Sequence, residues 1–256
     1  LATAKYIGGE RMLNKEVLMY ASTITELVEK VLVKQQKTIE QAAKCCLNAV
    51  TEKGVIRMFG TGHSHMLTEE MFFRAGGLAV FVPIFEPQLM LHEGPVTSST
   101  YEKTSGLAQI IFDKHQITPP DVLVILSNSG TNAVPIEMAL AAENSGVTTI
   151  ALCSRQYADQ TAQRLHGRNL AEIADIVIDN ELPPGDALVV LPNGVPIGPG
   201  STIIGTLILN MIAIQLASEM ASLDQTPPVF ISSNMPEAAS NNAQYLDIYR
   251  RFFPSL

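Results

Sequence analysis

The chain has 256 residues, 46% of them hydrophobic, and a formal net charge of -8. That is enough apolar material for one sizeable α/β domain, and a basic cluster limited to Arg250-Arg251 lacks the broad basic face of a phosphate-backbone binder, which argues against nucleic acid. The three cysteines (Cys45, Cys46 and Cys153) are too few and too closely adjacent for a disulfide framework and fit a reducing cytoplasm.

Residues 1–13 read as a tail or processing remnant, ahead of a single domain over 14–256. Helical periodicity runs through 14–52. Leu18, Ile24, Leu27, Val28, Val31 and Leu32 suit one amphipathic helix, and Ile39, Ala42, Ala43 and Leu47 suit a second or its continuation. A strand at 55–59 leads into Gly60-Thr61-Gly62-His63-Ser64-His65, then a helix to about residue 74 closed by Gly76-Gly77. A strand at 79–85 precedes a long irregular segment, 86–105, of a length that is more often functional than idle. A short helix at 106–115 follows.

Residues 121–126 form an apolar run of strand length. It feeds Ser127-Asn128-Ser129-Gly130-Thr131-Asn132, which opens a helix at 133–145 with Pro135 in its first turn, where a missing N–H costs nothing. Further strands are expected at 148–153 and 175–179, joined by a polar segment over 154–169. The run at 189–191 is too short to assign. Residues 203–217 are apolar but interrupted by Asn210 and Gln215. They are short for a membrane span and follow a Ser201-Thr202 helix start, so a buried helix at 201–222 is expected, with no membrane contact. A last helix is expected at 238–252. Strands alternating with helices imply a mainly parallel sheet covered on both faces, with the turns at the carboxyl ends of the strands, where open sheets bind ligands.

The turn at 127–132 carries the strongest chemical signal. Free N–H groups at a helix start favour an anion, the hydroxyls of Ser127, Ser129 and Thr131 can donate to phosphate oxygens, and Gly130 lets the backbone come close. No lysine or arginine lies in the loop, which suits a modest phosphate ester; an ordinary serine-rich turn is the alternative. The first turn, with Gly62, His63 and Ser64, lacks the third glycine of a dinucleotide fingerprint and works better as a second sugar-phosphate contact; no cofactor is expected. His63, His65 and His92 could be a metal set, but two histidines with no assured third ligand make a metal the weaker reading, and none is expected. Ser201, at the start of the apolar helix, is either a pocket wall or a plain N-cap. Acid/base work needs a carboxylate or histidine in reach of the sugar carbons. Glu102 is the first candidate, because it follows hydroxyl-bearing residues in a segment too long for a plain connector; His92 and Glu93 come next. Glu69, Glu70 and Glu86 are further carboxylates near the turns.

The stretch Phe59-Gly-Thr-Gly-His-Ser-His-Met66, with Phe73-Arg-Ala-Gly-Gly77, Leu91-His-Glu-Gly94, Ser127-Asn-Ser-Gly-Thr131 and Gly198-Pro-Gly-Ser-Thr202, resembles the SIS (sugar isomerase) domain family. The likeness is to a bacterial branch similar to phosphoheptose isomerases and covers about residues 14–250. It implies a three-layer α/β/α sandwich around a five-stranded parallel sheet. It also implies a homodimer or homotetramer with N-terminal helices between subunits, and sugar-phosphate contacts from Ser64, Ser127, Ser129 and Thr131. Family members include aldose–ketose isomerases, an etherase acting on a muramic acid phosphate, and non-catalytic sugar-phosphate sensors. Phosphoheptose isomerases and the etherase are similar in carrying a catalytic glutamate about ten residues after the first-turn serine; here that position is Arg74. The expectation is therefore a cytoplasmic phosphosugar isomerase working through an enediol. The alternatives are a sensor without catalysis and a lyase or etherase on an amino-sugar phosphate.

Overall fold

In chain order the elements are helices α1 (Lys15–Lys34) and α2 (Gln36–Thr51), strand β1 (Ile56–Gly60), α3 (His65–Met71), β2 (Phe81–Pro83), α4 (Pro95–Tyr101), α5 (Leu107–Lys114), β3 (Val122–Leu126), α6 (Ala133–Ser145), β4 (Thr148–Cys153), α7 (Arg155–Gln160), α8 (Leu170–Ile173), β5 (Ile176–Asp179), β6 (Ala187–Val190), β7 (Pro196–Pro199), α9 (Ser201–Ser222) and α10 (Ala238–Arg250). This is a computed structural model that describes residues 13–160 and 167–253, so nearly all of the tail expected at 1–13 lies outside the described residues.

Five strands form a parallel sheet in the order β2-β1-β3-β4-β5. The strands β1, β3 and β4 are buried almost throughout because helices cover both faces. On one face Ile56, Met58, Val124 and Leu152 pack with residues of α1, α2, α3 and α9. On the other, Phe59, Leu123, Ile125 and Ala151 pack with α5, α6 and α8. The result is the expected three-layer α/β/α sandwich. The second expected apolar row is buried (Ile39, Ala42, Ala43 and Leu47), but of the first only Leu27 and Val31 are; Leu18 and Leu32 are exposed, because α1 packs on the body by a narrow stripe. The stretch divides at Gln35, whose ψ of 0° breaks the helical run. That buried side chain donates to Glu181 (3.1 Å) and accepts from the Asp179 N–H (3.3 Å), so the break ties the helix pair to the end of β5.

Several boundaries differ from the sequence expectation, each for a local reason. Helix α3 stops at Met71 instead of about residue 74, because Phe72 turns extended and Phe73 takes φ +42°, which lets both rings join a cluster with Phe230, Tyr249 and Phe253. The expected strand at 79–85 pairs with β1 only over Phe81–Pro83, while Leu78 bridges Val229 on its outer side. The segment at 86–105 is not irregular. It holds two 3-10 turns and α4, which starts on Pro95 where proline is tolerated. The polar segment at 154–169 contains α7, and its residues 161–166 lie outside the described residues. The short run at 189–191 belongs to an antiparallel hairpin of β6 and β7. Helix α9 runs the expected length, with Ile204, Ile208, Ile212 and Leu216 in the core.

Glu86 does not face the turns. It is buried, and it accepts from Lys114 Nζ (2.8 and 3.0 Å) and lies 2.7 Å from His115 Nε2. Burial alone would raise its pKa, but hydrogen bonds from His115 and Lys114 outweigh that and bring it down to about 2. A carboxylate with a depressed folded-state pKa adds stability that is present above the unfolded value and lost as pH falls through the folded one. Glu86→Gln is thus expected to cost about 1–3 kcal/mol at neutral pH. In urea melts, the gap to the unaltered chain should close between about pH 4.5 and pH 2. A gap that persists at pH 2 would refute the assignment.

Candidate functional site

The strand order reverses between β1 and β3: from β1 the chain crosses to β2 on one side, and from β3 to β4 on the other. At such a switch point the two carboxyl ends diverge and leave a crevice. Both glycine- and hydroxyl-bearing turns open there, one after β1 and one after β3.

The first turn is tight. A Cβ on Gly60 would lie 2.7 Å from the Ser64 carbonyl carbon and oxygen, and Gly62 has φ +56°, so each position favours glycine for a different reason. His65 is buried and its Nδ1 contacts the Gly62 carbonyl, which pins the turn from within. His63 is exposed, and the Ser64 hydroxyl is not spent on capping α3.

The second turn is held by its own hydroxyls. The Gly130 N–H donates to Ser127 Oγ (3.3 Å), and Thr131 Oγ1 donates to Ser129 Oγ (3.3 Å). Gly130 takes φ +62°, and an added Cβ would meet the Cβ atoms of Leu170 and Ala158 at 3.4 and 3.5 Å, so the loop is seated on α8 and α7. Beneath it, burial pushes the Cys153 thiol up to about 12. One N–H at the start of α6 is already used: Val134 donates to the Glu102 carbonyl at 3.0 Å.

A narrow cleft joins these parts. Its walls are His63, Ser64 and Leu67 from the first turn and α3, Ser127 and Asn128 from the second, and Leu152, Asn180, Ser201 and Thr202. Seven of the nine are polar and none is lysine, arginine or carboxylate. Gly62, Ser129, Gly130 and Thr131 shape the turns behind this lining. Two contributors carry no sequence signal. Asn180, after β5, donates to Asn128 Oδ1 (2.8 Å) and so orients the Asn128 amide. Asp186, before β6, accepts from the Gly200 N–H (3.0 Å), the Ser201 N–H (2.9 Å) and the Ser201 hydroxyl (2.5 Å). Ser201 is therefore a cleft wall but not the N-cap, since the cap of α9 comes from a carboxylate earlier in the chain.

The expected acid/base residues sit apart from this lining. Glu102 ends α4 beside the first turn and accepts from Thr61 Oγ1 at 2.9 Å; it is half-buried. His92 and Glu93 lie on a 3-10 turn with side chains 59% and 56% exposed, and the His92 ring is 6.0 Å from that of His65. Arg74 pairs with Glu70 in the loop beyond α3. Among the described residues, no group of three or more histidine, cysteine or carboxylate side chains converges as a metal site.

A family model described as the SIS domain matches residues 19–154. The chain belongs to the SIS domain family. Its curated relatives include a UPF0309 protein of Geobacillus kaustophilus, 42% identical over 239 residues, with 93% of this chain and 95% of the relative covered. A UPF0309 protein of Thermoanaerobacter pseudethanolicus is 38% identical over 241 residues, with 92% and 98% covered. Among solved structures, a phosphoheptose isomerase from Francisella tularensis is similar with a TM-score of 0.52 and 15% identity, over 80% of this chain and 100% of that one. The sugar isomerase domain of an RpiR transcription factor from Sphaerobacter thermophilus gives a TM-score of 0.51 and 14% identity, over 93% and 99%. At these identities the likeness is one of fold. In this SIS chain, the fold places the β1 and β3 turns side by side and α9 across from them.

The Asp186 cap has a measurable consequence. Asp186→Ala leaves the Ser201 N–H and hydroxyl without this acceptor, while the Gly200 N–H keeps the Asp186 carbonyl at 3.2 Å, and is expected to cost about 1–2 kcal/mol in urea denaturation, with Asp186→Asn costing less. An unchanged midpoint in the alanine variant would contradict the cap.

Proposed function

We propose that this SIS protein binds the phosphate ester of a sugar at the β1–β3 crevice and isomerises the sugar between aldose and ketose forms. The observation that carries the binding reading is the convergence of Ser64, Ser127, Asn128, Ser201 and Thr202 on one cleft without a single cationic side chain. Neutral donors of this kind match a phosphate monoester, whose oxygens accept several hydrogen bonds at once. A polyphosphate would call for cations or a metal.

Glu102 is the base of the reaction. Its carboxylate is steered by Thr61 toward the Gly62 side of the first turn, where a Cβ on Gly62 would come 3.9 Å from Oε2. The base removes the C2 proton of the bound sugar to give a cis-enediolate with its charge on O1; the O2 proton passes to O1, and the carbon-bound proton returns at C1. His92 and Glu93, more exposed, stand as secondary candidates. Cleft hydroxyls and amides hold the phosphate and orient the sugar for the transfer.

One observation favours a second reading, in which the cleft binds sugar phosphate without turnover, as a sensor does: Glu102, Glu93 and His92 all lie outside the cleft lining. An amino-sugar-phosphate lyase or etherase would be told apart by release of a small acid. The chain is further proposed to work in the cytoplasm as a homodimer or homotetramer. The exposed apolar side chains Val17, Leu18, Met19, Leu32 and Val33 on α1 and Ile203 and Ile214 on α9 support such an assembly.

Ser127→Ala with Ser129→Ala is expected to weaken sugar-phosphate binding in calorimetry by about 1–3 kcal/mol through lost hydrogen bonds; an unchanged affinity would remove the cleft from consideration. Glu102→Gln is expected to abolish solvent-deuterium incorporation at C2, followed by NMR, and to spare binding. Binding with no exchange in the unaltered protein, across hexose, heptose and amino-sugar phosphates, would establish the sensor reading instead.

A further inference from the structure

A second, larger cleft lies at the opposite end of the same strands. It is lined by Lys53 ahead of β1, Arg57 within β1, Lys114 and His115 at the end of α5, Asp121 ahead of β3, and Arg251 and Phe252 just after α10. Its cavity volume is about 500 Å³, and a strand of five residues separates it from the sugar-phosphate crevice by roughly 17 Å.

The charge at this place runs against the rest of the chain. The protein carries 17 lysines and arginines against 25 acidic residues, yet four of those cations border this one cavity. Arg57 Nε is paired with Asp121 Oδ2 at 2.8 Å, and Lys114 is paired with Glu86. Lys53 and Arg251 remain. Both are exposed, and among the described residues neither side chain has an acidic partner. The cleft therefore keeps two uncompensated positive charges.

Arg57 adds geometry to charge. Its side chain is 3% exposed, and its guanidinium lies 3.9 Å from the centroid of the Phe252 ring, which fixes its plane. Only Nε is used, on Asp121; among the described residues the two terminal nitrogens have no hydrogen-bond partner. A buried guanidinium with its outer edge free, flanked by two unpaired cations, is the arrangement that binds a multi-oxygen dianion.

We propose that this cleft is a second anion site, which takes the phosphate group of a phosphorylated small molecule and is separate from the sugar-phosphate crevice. The Arg57 edge receives two phosphate oxygens, and Lys53 and Arg251 close over the remaining charge. Doubly charged phosphate is favoured over a carboxylate because two surplus cations and an arginine fork face the same space.

The test is an NMR titration of the ¹⁵N-labelled full chain with inorganic pyrophosphate, with acetate in a parallel arm. Saturable amide shifts are expected at Lys53, Gly54, Gln116 and Phe252, with no matching response to acetate. Lys53→Asn with Arg251→Gln is expected to weaken binding about tenfold, since both positions are exposed and asparagine tolerates the positive φ of Lys53. Ser127→Ala with Ser129→Ala is expected to leave these shifts in place, so failure of the crevice reading and failure of this one are separable. Shifts confined to residues 127–132, equal affinity in the Lys53/Arg251 variant, or an equal response to acetate would each overturn the proposal.

Discussion

The crevice exists because β1 and β3 are adjacent and in a single register, and that register is locked by one carboxylate. Asp121, immediately before β3, accepts from the Val55 N–H (2.9 Å) and from Arg57 Nε (2.8 Å), while the Val122 N–H donates to the Val55 carbonyl (3.1 Å). Parallel strands lack a hairpin turn to set their offset, so a side chain at the strand entrance does the work. The same device recurs one pair along, where Asp175 accepts from the N–H and the hydroxyl of Thr149 at 2.8 Å each. A slip of one residue at Asp121 would move Gly60 away from Leu126 and pull the two glycine- and hydroxyl-bearing turns out of alignment.

With the turns held side by side, the cleft is assembled from groups that are polar but uncharged. The apparent exception is Asp186, whose negative charge is absorbed by the first N–H groups of α9. The long apolar helix thereby arrives at the cleft with its positive end already compensated. The phosphate reading then rests on the hydroxyls and on the start of α6. Four cations border the cleft at the far end of the strands, whereas none lines this one, so the two clefts differ in electrostatic character.

Much of this was legible in the sequence where a signal was local. The limits of α6, β4 and α9 follow from apolar runs bounded by Asn132, Gly146 and Gly200. The position of the two turns after β1 and β3 follows from glycine and hydroxyl spacing after apolar strands. What escaped the sequence depends on partners distant along the chain. Asn180 matters only because it meets Asn128, 52 residues earlier. The early end of α3 depends on aromatic residues contributed by the C-terminal helix. Glu86 looked like a candidate for the crevice because it follows β2, but Lys114 and His115 draw it elsewhere. Segment 86–105 looked irregular because its helix is short and rich in Thr and Ser, residues whose helical use is decided by packing.

The Asp186 cap also bears on the order in which the chain folds. Asp186 and Gly200 are 14 residues apart, and the hairpin of β6 and β7 fills the interval. Closing so short a loop costs little chain entropy, so the hairpin and the first turn of α9 are expected to form together from local contacts. The parallel sheet must bring β1 and β3 together across 66 residues, the separation of Val55 and Asp121, and belongs to a later stage. One wall of the crevice would then be complete before the crevice itself closes.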